Sequence, residues 1–82
     1  MKVVKYWQKN CVPCKMMDES LQALGLVVDE SVEVTKENAK EVTMERRVTK
    51  TPTLIKYDYD GTEVDRLSSV GVKKIAKFFG KE

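Results

Sequence analysis

The sequence predicts an α/β domain in the order strand, helix, strand, helix, strand, strand, helix, folded as a four-stranded mixed sheet with helices on both faces. Three observations point there. Lys2 to Trp7, rich in Val, Tyr and Trp, runs almost directly into an apolar stripe at helical spacing, Cys14, Met17, Leu21 and Leu24. An Asp60-Gly61 turn signal separates two strand-like runs. A last helical stripe, Val72, Ile75, Phe78 and Phe79, follows near the C-terminus. A chain of 82 residues has room for one small domain, 1–82.

The first strand, Lys2 to Trp7, lacks clean alternation, as expected of a strand covered on both faces. Gln8 to Cys11 form a loop, and Pro13 suits the first turn of a helix, where no N–H is needed. Gly25 is placed to end that helix in a left-handed conformation. After a turn at Leu26 to Asp29, Ser31 to Val34 alternates as a second strand. Thr35 is the expected cap of a helix running to about Arg46, with Ala39, Val42 and Met44 as its thin apolar face. Thr51 to Tyr57 is a strand opening on a proline, which spares the ladder a missing donor. Thr62 to Leu67 returns as its hairpin partner, and the final helix starts between Val70 and Val72.

Composition narrows the function classes. Apolar residues make up 41% and charged residues 34%, the balance of a soluble globular domain. No apolar run approaches the ~18 residues of a membrane span, and the Lys-interrupted N-terminus does not read as a secretion signal. The expectation is a cytoplasmic monomer. A net charge of +2 gives no reason to expect nucleic-acid binding. The cations are unevenly placed: Lys2, Lys5, Lys9 and Lys15 all precede the first acid, Asp18. Lys73, Lys74, Lys77 and Lys81 read as a solvated helix face that complements the C-terminal dipole.

The chain has two cysteines, Cys11 and Cys14, and no histidine. That is too few ligands for an ordinary zinc site, so a reactive thiol pair is the better reading. Cys11 falls in the loop before the helix, near unpaired N–H groups and the positive end of the dipole, which favour the nucleophilic thiolate. Lys9 and Lys15 add to that, with no acid within three residues of either cysteine. Cys14, inside the first turn, is expected to be more buried and protonated until needed. Cys11 would then attack a partner disulfide and Cys14 would resolve the mixed disulfide, with no metal or organic cofactor.

The segment Trp7 to Met17, WQKNCVPCKMM, resembles the active-site segment of thioredoxins, with Trp four residues before the first cysteine. Val48 to Gly61, containing Thr51-Pro52-Thr53-Leu54, resembles the family's second signature. Together they cover nearly the whole chain and imply a minimal thioredoxin fold. The resemblance implies that Pro52 is cis beside the disulfide and that the Thr51 backbone can pair with an extended substrate. It places Val12, Pro13, Thr51 and Pro52 at the substrate surface and Trp7, Lys15 and Lys5 in support. Read alone, Pro52 is a strand-start proline and Trp7 a large core residue. The implied activity is reduction of protein disulfides, ribonucleotide reductase being one candidate acceptor, with recycling by thioredoxin reductase.

Departures from the family are specific. The chain lacks the extra N-terminal strand and helix of thioredoxins and has the size of a glutaredoxin. Lys5 stands where thioredoxins have a buried acid, six residues before the first cysteine, so the proton route to Cys14 is open. A lysine there must reach outward or lose its charge. Asn10 replaces the aromatic before the first cysteine. The Gly-Gly and Asp-Asp pattern of glutathione-using relatives is absent from Leu67 to Gly71, so glutathione is expected to be a poor reductant. Two other classes compete: a module whose two cysteines hold metal in a dimer, and a thioredoxin-fold interaction protein without redox activity.

Overall fold

The computed structural model describes residues 1–81. The elements run β1 (Lys2–Trp7), α1 (Val12–Leu24), β2 (Glu30–Glu33), α2 (Ala39–Glu45), β3 (Thr53–Tyr57), β4 (Glu63–Leu67) and α3 (Val72–Phe78). The sheet order is β2-β1-β3-β4, with β1 parallel to β2 and antiparallel to β3. This is the predicted mixed sheet. The parallel β1–β2 pair needs a crossover, supplied by α1, whereas antiparallel β3 and β4 are joined by a short loop.

The pleat of β1 explains its missing alternation. Val3 faces one cluster with Met17, Leu21, Leu54, Ile75 and Phe78. Val4 and Tyr6 face a second cluster with Val42, Val48, Ile55 and Tyr57. Helices α1 and α3 therefore cover one face of the sheet and α2 the other, because alternate residues of β1 and β3 are apolar toward both. The second face is the more thinly covered, since α2 has 7 residues against 13 in α1.

Three expectations need correction. Thr35 does not cap α2. Asn38 Oδ1 accepts from the Thr35 N–H at 2.8 Å and Asn38 Nδ2 donates to the Glu33 carbonyl at 2.9 Å, tying residues 35–38 into a turn. The helix starts only at Ala39, with Asn38 at its N-cap, and Met44 lies outside its buried face at 68% exposure. Likewise Val72 is 45% exposed, since it opens α3 on the outer side, while Ile75 and Phe78 are buried. Gly25 ends α1 as predicted, at φ 67°, with its N–H returned to the carbonyls of α1.

Candidate active site

The site is assembled by the register of β1 and β3. Tyr6 pairs with Thr53 across the antiparallel ladder, so the loop leaving β1 and the loop entering β3 meet at one end of the sheet. Cys11 lies on the first and Thr51-Pro52 on the second. The Thr51 carbonyl and hydroxyl oxygens lie 3.9 and 3.8 Å from Cys11 Sγ. Since that sulfur is in a disulfide it has no proton to give, so these are packing contacts. Thr51 Oγ1 donates to Gln8 Oε1 at 2.8 Å, a tether between the two loops. Thr51-Pro52 is cis, Pro52 is buried and Thr51 half-buried.

Cys11 and Cys14 are joined by a disulfide with a Cα–Cα distance of 5.2 Å. Cys11 is the N-cap of α1, in extended conformation at φ −115° and ψ 102°, and its Sγ accepts the Cys14 N–H at 3.2 Å. A sulfur here does what a Ser or Asp side chain does at other helix starts. Pro13, in the first turn, has no N–H to leave unpaired, and no acid in that turn offsets the positive helix end. Exposure separates the two sulfurs' residues. Cys11 is half-buried, whereas Cys14 is 4% exposed on the inner face of α1, in line with Met17 and Leu21.

The surroundings of Cys11 are apolar and cationic. Val12 is 69% and Met16 47% exposed, and Pro13 is also exposed, which gives a patch of aliphatic surface on the first turn. Lys15 is exposed on the same turn, and Lys9 is exposed with Glu33 at 4.0 Å. Trp7 is partly exposed and ends β1, its carbonyl accepting from the Val34 N–H at 2.7 Å. Asn10 has a positive φ of 55°, a conformation that Asn adopts more readily than an aromatic residue does.

Lys5 points toward α1, like Val3 and unlike Val4 and Tyr6, and its ammonium group binds the Asp18 carboxylate. Its side chain is 13% exposed and that of Asp18 55% exposed, so the lysine reaches outward to a partner at the protein surface. Asp18 follows Cys14 by one helical turn, the i, i+4 spacing that places both on one side of α1. Sequence reasoning passed over Asp18 and Gln8. The spacing from Cys14 was a signal for the first; only the β1–β3 register reveals the second.

Among the described residues no group of three or more His, Cys, Asp or Glu side chains is arranged to hold a metal ion. No protein-family model matches the sequence, and no curated protein sequence matches it. Solved structures do. Chlamydomonas reinhardtii thioredoxin f2 is similar at 25% identity and a TM-score of 0.77, over 96% of this chain and 75% of that one. Oxidised thioredoxin from Plasmodium falciparum is similar at 25% identity and a TM-score of 0.67, over 96% and 77%. Malassezia sympodialis thioredoxin shares the fold at 19% identity and a TM-score of 0.75, over 96% and 71%. The chain has a minimal thioredoxin-like fold, and the Cys11–Cys14 pair at the start of its first helix supports dithiol–disulfide oxidoreductase chemistry in general.

Proposed function

We propose that this chain reduces disulfides in protein substrates, with Cys11 as the nucleophile and Cys14 as the resolving thiol. The observation that carries this is the asymmetry of the pair: Cys11 is accessible and receives an N–H at its sulfur, while Cys14 is buried behind it. In the dithiol form the Cys11 thiolate attacks one sulfur of the substrate disulfide, and the other sulfur leaves as a thiolate that takes up a proton. Cys14 then loses its proton and attacks Cys11 Sγ, the mixed disulfide breaks, and the second substrate thiol is released. Two electrons and two protons have passed to the substrate, and the Cys11–Cys14 disulfide remains. No cofactor enters these steps.

Val12, Pro13 and Met16 supply an apolar landing surface, and Thr51 offers backbone groups beside the attacked sulfur. Trp7, Gln8 and Lys15 support the loop and its charge. Thioredoxin reductase returns the electrons, within a reducing cytoplasm where the protein acts as a monomer. Ribonucleotide reductase is an acceptor worth assaying, since it needs external dithiol reduction. The segment Leu67 to Gly71 carries no acid to hold the amine of glutathione, so glutathione is a poor reductant here.

The test is insulin disulfide reduction coupled to NADPH oxidation through each of the two systems. Turnover is expected with thioredoxin reductase and little with glutathione and its reductase. Efficient turnover with glutathione alone would reverse the recycling assignment. Failure to accelerate insulin reduction over dithiothreitol alone would remove the reductase reading altogether.

A further inference from the structure

A cavity lies away from the cysteines. It has a volume of about 490 Å³, within the range of small-molecule sites, and is lined by residues of the start of β1, the end of β3 and the C-terminal end of α2. The cysteine loop leaves β1 at its opposite end, after Trp7. Its walls include Val4, Tyr6, Tyr57 and Tyr59, and a smaller cavity of about 210 Å³ continues from it past Tyr6, Glu30 and Arg46.

Two polar features of this cavity have unused capacity. Tyr6 and Tyr57 are 4% and 8% exposed, and their hydroxyls share a hydrogen bond of 3.0 Å. Two O–H groups joined by one bond leave one proton over, with no acceptor for it among the described residues. Burial, the Tyr57 hydroxyl and the negative charge of Glu30 raise the Tyr6 pKa, against the lowering effect of Arg46, so the Tyr6 hydroxyl keeps its proton at physiological pH.

The second feature is Arg46. Its guanidinium carbon lies 5.5 Å from the Tyr57 ring centroid, and among the described residues its side chain has neither an ion pair nor a hydrogen bond. Its backbone is fixed from outside: Arg66 donates to the carbonyls of Arg46 and Arg47 at 2.8 and 2.9 Å while also gripping Glu63. The other charged side chains of the wall are already engaged. Lys2 pairs with Glu30 at 2.8 Å, and the Asp58 carboxylate accepts the Tyr59 N–H at 2.7 Å.

We propose that this cavity binds a small aromatic monocarboxylate, whose carboxylate accepts from the Arg46 guanidinium and from the spare O–H of the Tyr6–Tyr57 pair. The tyrosine rings and Val4 receive the apolar body. The lining side chains carry two cations and two acids, so a monoanion meets the unpaired Arg46 guanidinium while a second negative charge meets Glu30 and Asp58. That selects against inorganic phosphate and nucleotides. Because the site shares no residue with the cysteine loop, binding is expected in the oxidised and the dithiol protein alike.

The experiment is an amide chemical-shift titration of the whole chain with 1-naphthoate, with neutral 1-naphthamide and inorganic phosphate as comparisons. Naphthoate should give saturable shifts centred on Tyr6, Arg46, Tyr57 and Tyr59. Naphthamide should bind about tenfold more weakly, as should naphthoate to Arg46→Gln, the loss of one charge-assisted hydrogen bond. Phosphate should leave these resonances unmoved. Equal binding of naphthoate and naphthamide to the unaltered chain overturns the proposal without depending on any variant. So does an unchanged affinity in Arg46→Gln, or phosphate binding at the same residues. Insulin reduction is a separate readout and is expected to be the same in Arg46→Gln.

Discussion

Cys11 owes its character to being the residue before α1 rather than a residue within it. As N-cap it keeps extended backbone, turns its sulfur onto the Cys14 N–H and stays half exposed. That N–H, at the positive end of the helix, is placed to stabilise negative charge on the Cys11 sulfur once the disulfide is reduced. In the reduced protein, iodoacetamide at neutral pH is therefore expected to label Cys11 well ahead of Cys14, read by peptide mass spectrometry; equal labelling would contradict this. Lys5 is the other residue whose setting decides its role. Removing its partner, in Asp18→Asn, leaves an ammonium group with little solvent and is expected to cost about 1 kcal/mol in urea unfolding. Lys5→Met, which removes the charge needing a partner, should lie within about 0.5 kcal/mol of the parent chain.

At the scale of elements, the helices divide into one that the sequence describes well and one that it does not. Helix α1 is legible because its buried residues Cys14, Met17 and Leu21 share one stripe, Pro13 marks its start and Gly25 its end. Truncating that stripe, as in Met17→Ala, should cost about 2–5 kcal/mol by thermal or denaturant unfolding, since the side chain is fully buried. Helix α2 starts three residues later than a Thr35 cap suggests, because Asn38 spends both ends of its amide on residues 33 and 35. A capping threonine would accept an N–H two or three residues on, whereas the asparagine accepts the N–H of Thr35 itself, and spacing alone does not rank the two arrangements. What holds the far end of α2 is a partner remote in sequence, Arg66 of β4, donating to two carbonyls. Arg66→Ala is expected to lose about 1–2 kcal/mol and to loosen α2 specifically, seen as faster amide exchange at Val42 to Arg46.

Across the whole molecule, β1 in the centre organises both the core and the site. Its register with β3 brings Thr51-Pro52 to Cys11, and its two faces seed the two apolar clusters. The cysteine pair and Thr51-Pro52 were legible in sequence because their chemistry is written in short local runs. The Gln8–Thr51 tether, the Lys5–Asp18 pair and the Tyr6–Tyr57 bond were not, because each joins residues at least 13 positions apart. The last of these sets a pH dependence for the fold. Burial, followed by the bond to Tyr57, raises the Tyr6 pKa, so the folded chain holds a proton that the unfolded chain releases near the ordinary value of 10.0. Stability is thus complete below that value and declines as pH rises above it. Denaturant unfolding between pH 9 and pH 11, roughly a unit either side of the free phenol, should show that decline, and Tyr6→Phe should flatten it. A slope unaffected by the substitution would place the effect elsewhere.

The division of labour between the two thiols is most directly tested by trapping. Cys14→Ser and Cys11→Ser proteins would each be reduced, mixed with a disulfide-bonded protein substrate and analysed by intact mass without reductant. The expected result is a mixed disulfide through Cys11 in Cys14→Ser, released by dithiothreitol, and none in Cys11→Ser, whose remaining thiol is buried. Equal trapping by both variants, or trapping by Cys11→Ser alone, would contradict the assignment of Cys11 as nucleophile.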